Sequence, residues 1–220
     1  MIAGIIASTA RLIVGANVQW VEPPSQKPTI YIANHSSHLD FVVLWACLPT
    51  EVRRKTHPVA AKDYWSTGIK KYLATHVFKA LLVDRAGSAK SALVENGEKT
   101  VNGNVDAYVN EKKYNPNGVE NMISLLDNGD SIILFPAGTR NDEENMKFKS
   151  GLYNVCLKRP HINVVPVYLE NLNRVLPKGS ILPVPLLCEV TMGNSFKLES
   201  GEERIHFLER AKNAIMELKQ

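Results

Sequence analysis

The 220-residue chain is poor in cysteine, and the spacing of its cysteines excludes several classes of protein. Cys47, Cys156 and Cys188 are odd in number and form no CxxC pair. Neither a disulfide framework nor a zinc ribbon is therefore indicated, and a reducing compartment fits best. Apolar residues make up 45% of the chain, which is ordinary for a globular protein with a full core. The length favours one compact domain.

The chain also lacks an apolar run long enough to span a membrane. Residues 1–20 are its most apolar part and contain no acidic residue, but Arg11 interrupts them before about 18 apolar residues run together. No basic region precedes this run, as a signal peptide would require. In a helix these residues form a broad apolar surface, which predicts a helix in a membrane interface, with a core helix of the domain as the alternative.

No internal repeat is visible, and the chain instead alternates short apolar runs with helix-like segments. Strand-like runs occupy residues 29–33, 58–61, 77–83, 131–135, 163–169 and 185–191. Helix-like segments occupy residues 36–48, 64–76, 117–126 and 149–159, and a last helix after a capping box at 200–203 carries Ile205, Leu208, Ile215 and Leu218 on one face. The alternation predicts an α/β fold, a single-domain sandwich with a mixed, largely parallel central sheet flanked by helices. The polar residues 95–118 are expected to form a mobile loop or an irregular insertion.

The most unusual stretch is NHSSHLD, residues 34–40. Its side chains suit a metal site built from His35, His38 and Asp40, a serine nucleophile, a histidine base oriented by a carboxylate, or a helix cap. The metal site lacks a matching cluster, and the serine lacks the glycine-flanked G-x-S-x-G turn. A strand-to-helix turn allows His35 to fold back onto Asp40, so that one ring nitrogen is fixed and the other takes a proton from a bound hydroxyl.

Basic residues are concentrated between Glu51 and Lys79. This segment has seven Lys or Arg against two acids, whereas the whole chain has a net charge of +4. A local excess of this kind attracts anionic lipid, and Tyr64 and Trp65 lie within it. No recognised nucleic-acid motif accompanies it. We therefore expect an anionic membrane surface as a partner and no nucleic acid; a solvated basic face is the alternative.

Three further motifs follow NHSSHLD in a fixed order. They are L-V-D-R (82–85), F-P-A-G-T-R (135–140) and V-P-V (165–167). Together with NHSSHLD, which has the NHxSxxD form of an HX4D motif, they resemble the motifs of PlsC-like glycerolipid acyltransferases, the 1-acylglycerol-3-phosphate O-acyltransferase family. Lys62 and F-K-x-G (148–151) also look like family positions. The resemblance covers about residues 28–170, and four ordered motifs are far more specific than HX4D alone.

The resemblance implies an enzyme that moves a fatty acyl group from an acyl-CoA or acyl-carrier-protein thioester to the hydroxyl of lysophosphatidic acid in phospholipid biosynthesis. His35 would be the general base and Asp40 the residue that orients it. The acceptor phosphate would be bound by Lys62, Arg85, Gly138, Thr139 and Arg140. No metal and no cofactor are implied. The acyltransferase domain would comprise residues 21–220, on the cytoplasmic face of a membrane as a monotopic or peripheral protein.

Two positions depart from the family pattern. Ala137 replaces the glutamate usual in the third motif, and Lys79 stands where the second motif region normally has glycine. The missing carboxylate bears on the identity of the acceptor. The alternatives are therefore an acyltransferase for a different lysolipid or an acyl-amino-acid acceptor, and a catalytically inactive lipid-binding member of the family.

Overall fold

Seven strands form one sheet in the computed structural model, which describes residues 2–15, 17–37, 40–65, 67–83, 118–138, 146–172 and 188–219. The strands are β1 (Asn17–Trp20), β2 (Thr29–Ala33), β3 (Thr56–Ala61), β4 (Leu81–Val83), β5 (Ser131–Leu134), β6 (Asn163–Glu170) and β7 (Glu189–Met192). Their order across the sheet is β1-β7-β6-β2-β5-β3-β4. All neighbours are parallel except β6 and β7, which are antiparallel. The predicted fold class is confirmed.

Helices cover both faces of this sheet. They are α1 (Ile2–Val14), α2 (Asp40–Cys47), α3 (Thr50–Arg54), α4 (Lys62–Trp65), α5 (Gly68–Tyr72), α6 (Gly118–Asp127), α7 (Gly151–Lys158) and α8 (Arg204–Met216), and a π-helical turn at Leu73–Val77 follows α5. Residues of α1, α2 and the π-helical turn pack in one apolar cluster, and those of α6, α7 and α8 pack in another. The sheet therefore separates an α2 face from an α8 face.

The sequence of the central strand β2 explains why the sheet lies between two layers of helices. All five residues of TIYIA are buried, as expected for a parallel strand covered on both sides. Tyr31 and Ala33 point into the α2 face, and Ile30 and Ile32 into the α8 face. This alternation follows from the two-residue period of a strand, and it directs His35, two residues beyond Ala33, toward the α2 face.

Aromatic side chains hold α2 against the chain that follows it. The ring of Phe41 meets those of Trp65 and Phe78 edge to face, each with centroids 5.1 Å apart, and Trp45 meets Phe78 in the same way. Such pairs contribute about 0.5–1.5 kcal/mol each beyond the burial of their area. They fix the start of α2, where Asp40 lies.

Two predicted elements are shorter than the sequence indicated. The helix predicted at 64–76 is divided into α4, α5 and the π-helical turn, because Gly68 takes a left-handed φ of 59°. The strand predicted at 77–83 begins only at Leu81, because Val77 still belongs to the π-helical turn and Lys79 takes a φ of 49°. A left-handed residue turns the chain away from an extended path.

The ends of α2 and α8 also differ from the prediction. The first residue of α2 is Asp40 rather than Ser36, because the N–H groups of Ser36 and Ser37 donate to the Asp40 carboxylate. The predicted capping box fails, since Glu203 is the N-cap of α8 and makes no side-chain cap hydrogen bond. Ile205 is 66% exposed and lies off the buried face, which carries Phe207, Ala211 and Ile215.

The polar segment 95–118 lies outside the described residues except for Gly118.

The N-terminal helix α1 packs against α2 and leaves part of its surface exposed. Ala7 is buried in the core, whereas Ile5 is 59% exposed. The following strand β1 pairs with β7 at the edge of the sheet. Among the described residues, no helix combines the length and apolar character needed to cross a bilayer. The division into an interface helix at 1–20 and a domain at 21–220 stays a prediction.

Candidate active site

Several predicted site residues follow the carboxyl ends of neighbouring parallel strands. His35 comes after β2, Gly138 after β5 and Lys62 directly after β3, and these strands are adjacent in the order β2-β5-β3. The carboxyl ends of parallel strands meet at one edge of a sheet, which is where α/β proteins bind ligands. The topology therefore brings residues far apart in sequence to one edge, with Arg85 predicted two residues beyond β4.

The His35 and Asp40 side chains form the pair that the sequence predicted. His35 Nδ1 lies 2.9 Å from Asp40 Oδ2. The same oxygen accepts hydrogen bonds from the backbone N–H groups of Ser36 at 2.6 Å and Ser37 at 2.8 Å. Because an ionised carboxylate only accepts, Nδ1 carries the proton and Nε2 keeps its lone pair. Asp40 Oδ1 is buried and has no hydrogen-bond partner in the described part of the chain.

Asn34 anchors the turn that carries this pair. Its side-chain Nδ2 donates to the Leu169 carbonyl at 2.9 Å, and its Oδ1 accepts from the Leu169 N–H at 2.8 Å. Leu169 belongs to β6, the neighbour of β2, so the amide side chain replaces the backbone pairing that ends with Ala33. The first residue of NHSSHLD thus fixes where the chain leaves the sheet.

The His35 ring lies between the core and solvent. Its side chain is 22% exposed, whereas Asp40 is fully buried. Phe135, just after β5, contacts one side of the ring with centroids 4.6 Å apart. Nε2 has no hydrogen-bond partner among the described residues. An accessible imidazole with one nitrogen fixed by a buried carboxylate and the other unoccupied can act as a general base.

Gly138 is required by the turn that follows β5. Its φ is 69°, and its N–H donates to the Phe135 carbonyl at 2.9 Å. A Cβ at this position would lie 2.7 Å from Lys149 Nζ, so the lysine ammonium rests on the glycine backbone. Lys149 is held there by its own N–H, which donates to the Pro136 carbonyl at 2.9 Å. Lys149 therefore places a positive charge at the turn predicted to bind the acceptor phosphate.

The sequence indicated Lys149 only as part of the F-K-x-G segment and gave it no role. The signal that identifies it is spatial, because its ammonium approaches Gly138 from 11 positions later in the chain. Ala137, the residue directly before Gly138, is 5% exposed. Since the family glutamate is absent there, no carboxylate at position 137 competes for the lysine.

The remaining predicted residues are only partly described. Lys62 opens α4 at the carboxyl end of β3 and is half-buried. Arg85, Thr139 and Arg140 lie outside the described residues, so their phosphate-binding roles stay predictions. His38 also lies outside them.

The three cysteines are buried and unsuited to nucleophilic chemistry. Burial raises the pKa of Cys47 to about 11 and that of Cys156 to about 12. Burial, with the negative charge of Asp40 and the neighbouring Cys47, raises the pKa of Cys188 to about 11. All three thiols are protonated near neutral pH, and a thiol is a much weaker nucleophile than a thiolate. The interpretation of Cys156 and Cys188 as core residues is confirmed.

Fold and site together define a class of α/β proteins that place a histidine–aspartate pair at the carboxyl edge of a parallel sheet. The chain belongs to the Acyltransferase family, whose family model matches residues 16–170. The matched range contains His35, Asp40, Lys62 and Gly138. Within the described residues no group of three or more His, Cys, Asp or Glu side chains suited to a metal ion is found.

Known proteins agree with this assignment. The chain is 26% identical over 166 residues to Taffazin of Dictyostelium discoideum, covering 73% of this chain and 50% of that protein. It is 26% identical over 171 residues to the chloroplastic 1-acyl-sn-glycerol-3-phosphate acyltransferase LPAT1 of Arabidopsis thaliana, covering 74% and 38%. The chain thus spans half or less of the length of these curated relatives.

A solved structure has the same fold. The crystal structure of the 1-acyl-sn-glycerophosphate (LPA) acyltransferase PlsC from Thermotoga maritima matches with a TM-score of 0.65 and 19% sequence identity. The match covers 99% of this chain and 78% of that one. It includes the N-terminal helix as well as the sheet.

Proposed function

We propose that this protein transfers a fatty acyl group from an acyl-CoA or acyl-carrier-protein thioester to the hydroxyl of lysophosphatidic acid, as a step of phospholipid biosynthesis. The observation that carries the proposal is the His35 imidazole, oriented by buried Asp40 and unoccupied at Nε2. Family membership supports the acyl-transfer chemistry.

The chemistry proposed for the pair is general acid–base catalysis. His35 Nε2 removes the proton from the acceptor hydroxyl while that oxygen forms a bond to the thioester carbonyl carbon. Asp40 holds the ring in position and stabilises the imidazolium that results. When the tetrahedral intermediate collapses, the carbon–sulfur bond breaks, and the imidazolium returns the proton to the departing thiolate. The enzyme ends in its starting state.

The acceptor phosphate is proposed to bind beside Gly138. The predicted ligands are Lys62, Arg85, Gly138, Thr139 and Arg140, and the position of Lys149 Nζ on the Gly138 backbone adds a sixth. A dianionic phosphate is bound well by guanidinium and ammonium groups together with backbone N–H groups.

The membrane is the proposed location of the reaction, on its cytoplasmic face. Ile5 of α1 and Ile69 of α5 are exposed apolar side chains, and Lys70 and Lys71 adjoin Ile69. Apolar insertion combined with basic residues suits an anionic bilayer surface. Cosedimentation with vesicles containing phosphatidylglycerol, compared with pure phosphatidylcholine vesicles, tests this. Binding to neither would contradict a peripheral membrane protein.

The decisive experiment is release of free thiol from acyl-CoA or acyl-carrier protein by the purified, detergent-solubilised chain. Lysophosphatidate is the acceptor, and His35→Ala is the matched variant. We expect release that requires the acceptor and falls by about 10²–10⁴-fold in His35→Ala. Release that His35→Ala leaves unchanged would refute the assigned base. No release with any donor, while vesicle binding persists, would support the inactive lipid-binding protein instead.

A second acceptor class is favoured by one observation. Ala137 is buried and carries no carboxylate where the family usually has glutamate. Lysophosphatidylcholine and an acyl-amino acid therefore belong in the same assay. Faster transfer to either than to lysophosphatidate would identify a different lysolipid or acyl-amino-acid acyltransferase.

A further inference from the structure

Two arginine side chains meet at the C-terminal end of α2, the end opposite Asp40. Arg11 Nη2, from the last turn of α1, lies 3.4 Å from the Leu48 carbonyl oxygen. Arg53 Nη1, from α3, lies 3.5 Å from the same oxygen and donates to the Ala46 carbonyl at 3.2 Å. Because both nitrogens contact one oxygen, they are no farther apart than the sum of these two distances. The two positive charges are therefore close neighbours.

No carboxylate contacts this arginine pair within the part of the chain that the structure describes. The acidic residue nearest to Arg53 in sequence, Glu51, pairs instead with Arg54 at 3.6 Å. Burial, together with the positive charges of Arg11 and Arg54, lowers the pKa of Arg53. A bound anion between the two guanidinium groups would relieve their repulsion.

Capping of α2 alone does not account for both arginines. The carbonyl end of a helix attracts cations, and Arg53 meets this need through its contact with Ala46. The contacts of the two arginines with Leu48 are at the long limit for a hydrogen bond. Each guanidinium has five N–H groups in a planar fork, so several of them remain for an anion.

The surroundings of Arg53 hold its guanidinium in place. The guanidinium carbon lies 5.3 Å from the centroid of the Trp45 ring, which is within the range of a cation–π contact. Nη2 donates to Thr50 Oγ1 at 3.3 Å, which leaves the Thr50 hydroxyl proton for another acceptor. Trp45 is 3% exposed, and its Nε1 N–H has no acceptor among the described residues. The cluster is thus rich in donors and short of acceptors.

The arginine pair belongs to the side of the molecule that is proposed to meet the membrane. The helix α1, which carries Arg11, also carries exposed Ile5 and packs against α2. Exposed Ile69 belongs to α5, which leads into the π-helical turn on the same face. A long basic side chain at the end of an interfacial helix reaches the level of the lipid phosphates. Paired guanidinium forks suit a phosphate well.

We propose that Arg11, Arg53 and the Thr50 hydroxyl bind a phosphate group, supplied by the headgroup of an anionic membrane phospholipid or by free phosphate. The position of Arg11 on α1 favours the lipid. That lipid is not a reactant, because α2 has eight residues and separates this site from Asp40 by about 12 Å along the helix. The inference rests on the proposed location at a membrane surface.

Charge-preserving substitutions test the site, because lysine keeps the charge and loses the guanidinium fork. Cosedimentation measures binding of the full chain, Arg11→Lys and Arg53→Lys to vesicles of equal parts phosphatidylcholine and phosphatidylglycerol. Arg54→Lys is the matched control, since Arg54 is the next residue, is exposed and pairs with Glu51. We expect binding to weaken by about threefold to tenfold in the two site variants and to stay unchanged in the control.

Inorganic phosphate is the second probe, and it separates the two sources. Thermal unfolding is measured without vesicles, in phosphate and in chloride of equal ionic strength. If phosphate raises Tm of the wild type but not of Arg53→Lys, while all variants bind vesicles alike, the lipid is overturned and free phosphate is the ligand. Equal vesicle binding and equal Tm shifts in all variants overturn the site. If Arg53→Lys does not fold, Arg11→Lys carries both measurements, because Arg11 is exposed.

Thiol release in detergent keeps this inference separate from the proposed function. The site variants should release thiol at the wild-type rate in detergent, since the arginine pair lies away from His35. Weakened vesicle binding by the site variants of a chain that releases no thiol supports the lipid site and refutes the proposed activity. Normal thiol release with equal vesicle binding in all variants overturns the lipid site and leaves the activity standing.

Discussion

Two histidine–aspartate pairs lie at opposite ends of the parallel strands of the sheet, and the burial of histidine and aspartate is reversed between them. His35, after the carboxyl end of β2, is 22% exposed, and its partner Asp40 is fully buried. His57, near the amino end of β3, is 2% exposed, and its partner Asp130 is 22% exposed. In the first pair the histidine faces outward, and in the second the carboxylate does.

The second ring nitrogen distinguishes the pairs further. His57 Nε2 lies 3.2 Å from Asp130 Oδ2, and Nδ1 lies 2.9 Å from the Lys79 carbonyl. Each ring nitrogen of His57 thus faces an acceptor, so the residue joins β3 to the chain before β4 and before β5. His35 has one nitrogen committed and one unoccupied. A histidine–aspartate distance alone therefore does not identify a base; access and an unoccupied nitrogen do.

Exchanging the two histidines for alanine should separate these roles with the largest effects. His35→Ala is expected to lower kcat by about 10²–10⁴-fold while keeping most of the stability, because its ring is partly exposed. His57→Ala should lower the free energy of unfolding by about 2–3 kcal/mol, because it removes a buried ring together with its contacts to the Lys79 carbonyl and the Asp130 carboxylate, and should spare activity per folded molecule. Urea unfolding measures the free energy of unfolding of each variant, and release of free thiol measures its kcat. If both variants lost kcat by the same factor, the contrast between a catalytic His35 and a structural His57 would be wrong.

Lys149 extends the comparison within the carboxyl edge. Lys149→Ala should raise KM for a phosphate-bearing acceptor by about tenfold, because one charge-assisted contact near Gly138 is lost, with a smaller change in kcat. Lys197→Ala is the matched control. An acceptor without a phosphate should show no difference between wild type and Lys149→Ala. If Lys149→Ala raises KM equally for an acceptor without a phosphate, the lysine supports the fold and does not bind the phosphate.

A substitution at Lys79 examines the opposite edge of the sheet, where the Lys79 carbonyl contacts the His57 ring. Its φ of 49° costs a non-glycine residue about 1 kcal/mol or more, and the family usually has glycine here. Lys79→Gly keeps the carbonyl and relieves this strain, so we expect the free energy of unfolding to rise by about 0.5–1 kcal/mol. Lys55→Gly controls for the greater freedom of glycine in the unfolded chain. A loss of stability equal to that of the control would show that position 79 is not strained.

The smallest expected effect concerns the buried thiol of Cys188, whose pKa is raised mainly by burial. The pKa of the buried thiol is raised from 9.0 to about 11, so the folded state retains its proton where the unfolded state loses it. Its contribution to stability is therefore complete below pH 9 and is lost as the pH rises from about 9 to 11. Cys188→Ala should make the urea midpoint less dependent on pH in this window. An unchanged slope would mean that the thiol has an ordinary pKa in the fold.

The sequence by itself determined the elements whose pattern is local. TIYIA is buried on both faces as a strand, and NHSSHLD contains every side chain of the His35–Asp40 pair together with the N–H groups that hold the carboxylate. These interactions join residues at most five apart, so the pattern of residue types carries them. The four motifs likewise indicated the family, because residue type and order along the chain are enough to recognise them.

Only the tertiary structure decided what depends on distant partners. Gly68 breaks a helix that the apolar pattern favoured, and Ile205 is exposed because Phe207 and Ile215 occupy the buried side of α8. The approach of Lys149 to Gly138 likewise depends on how the chain returns to the end of β5. The reason is physical: the packing of whole faces outweighs the weak preferences of single residues, and contacts between distant segments leave no periodic trace in the sequence.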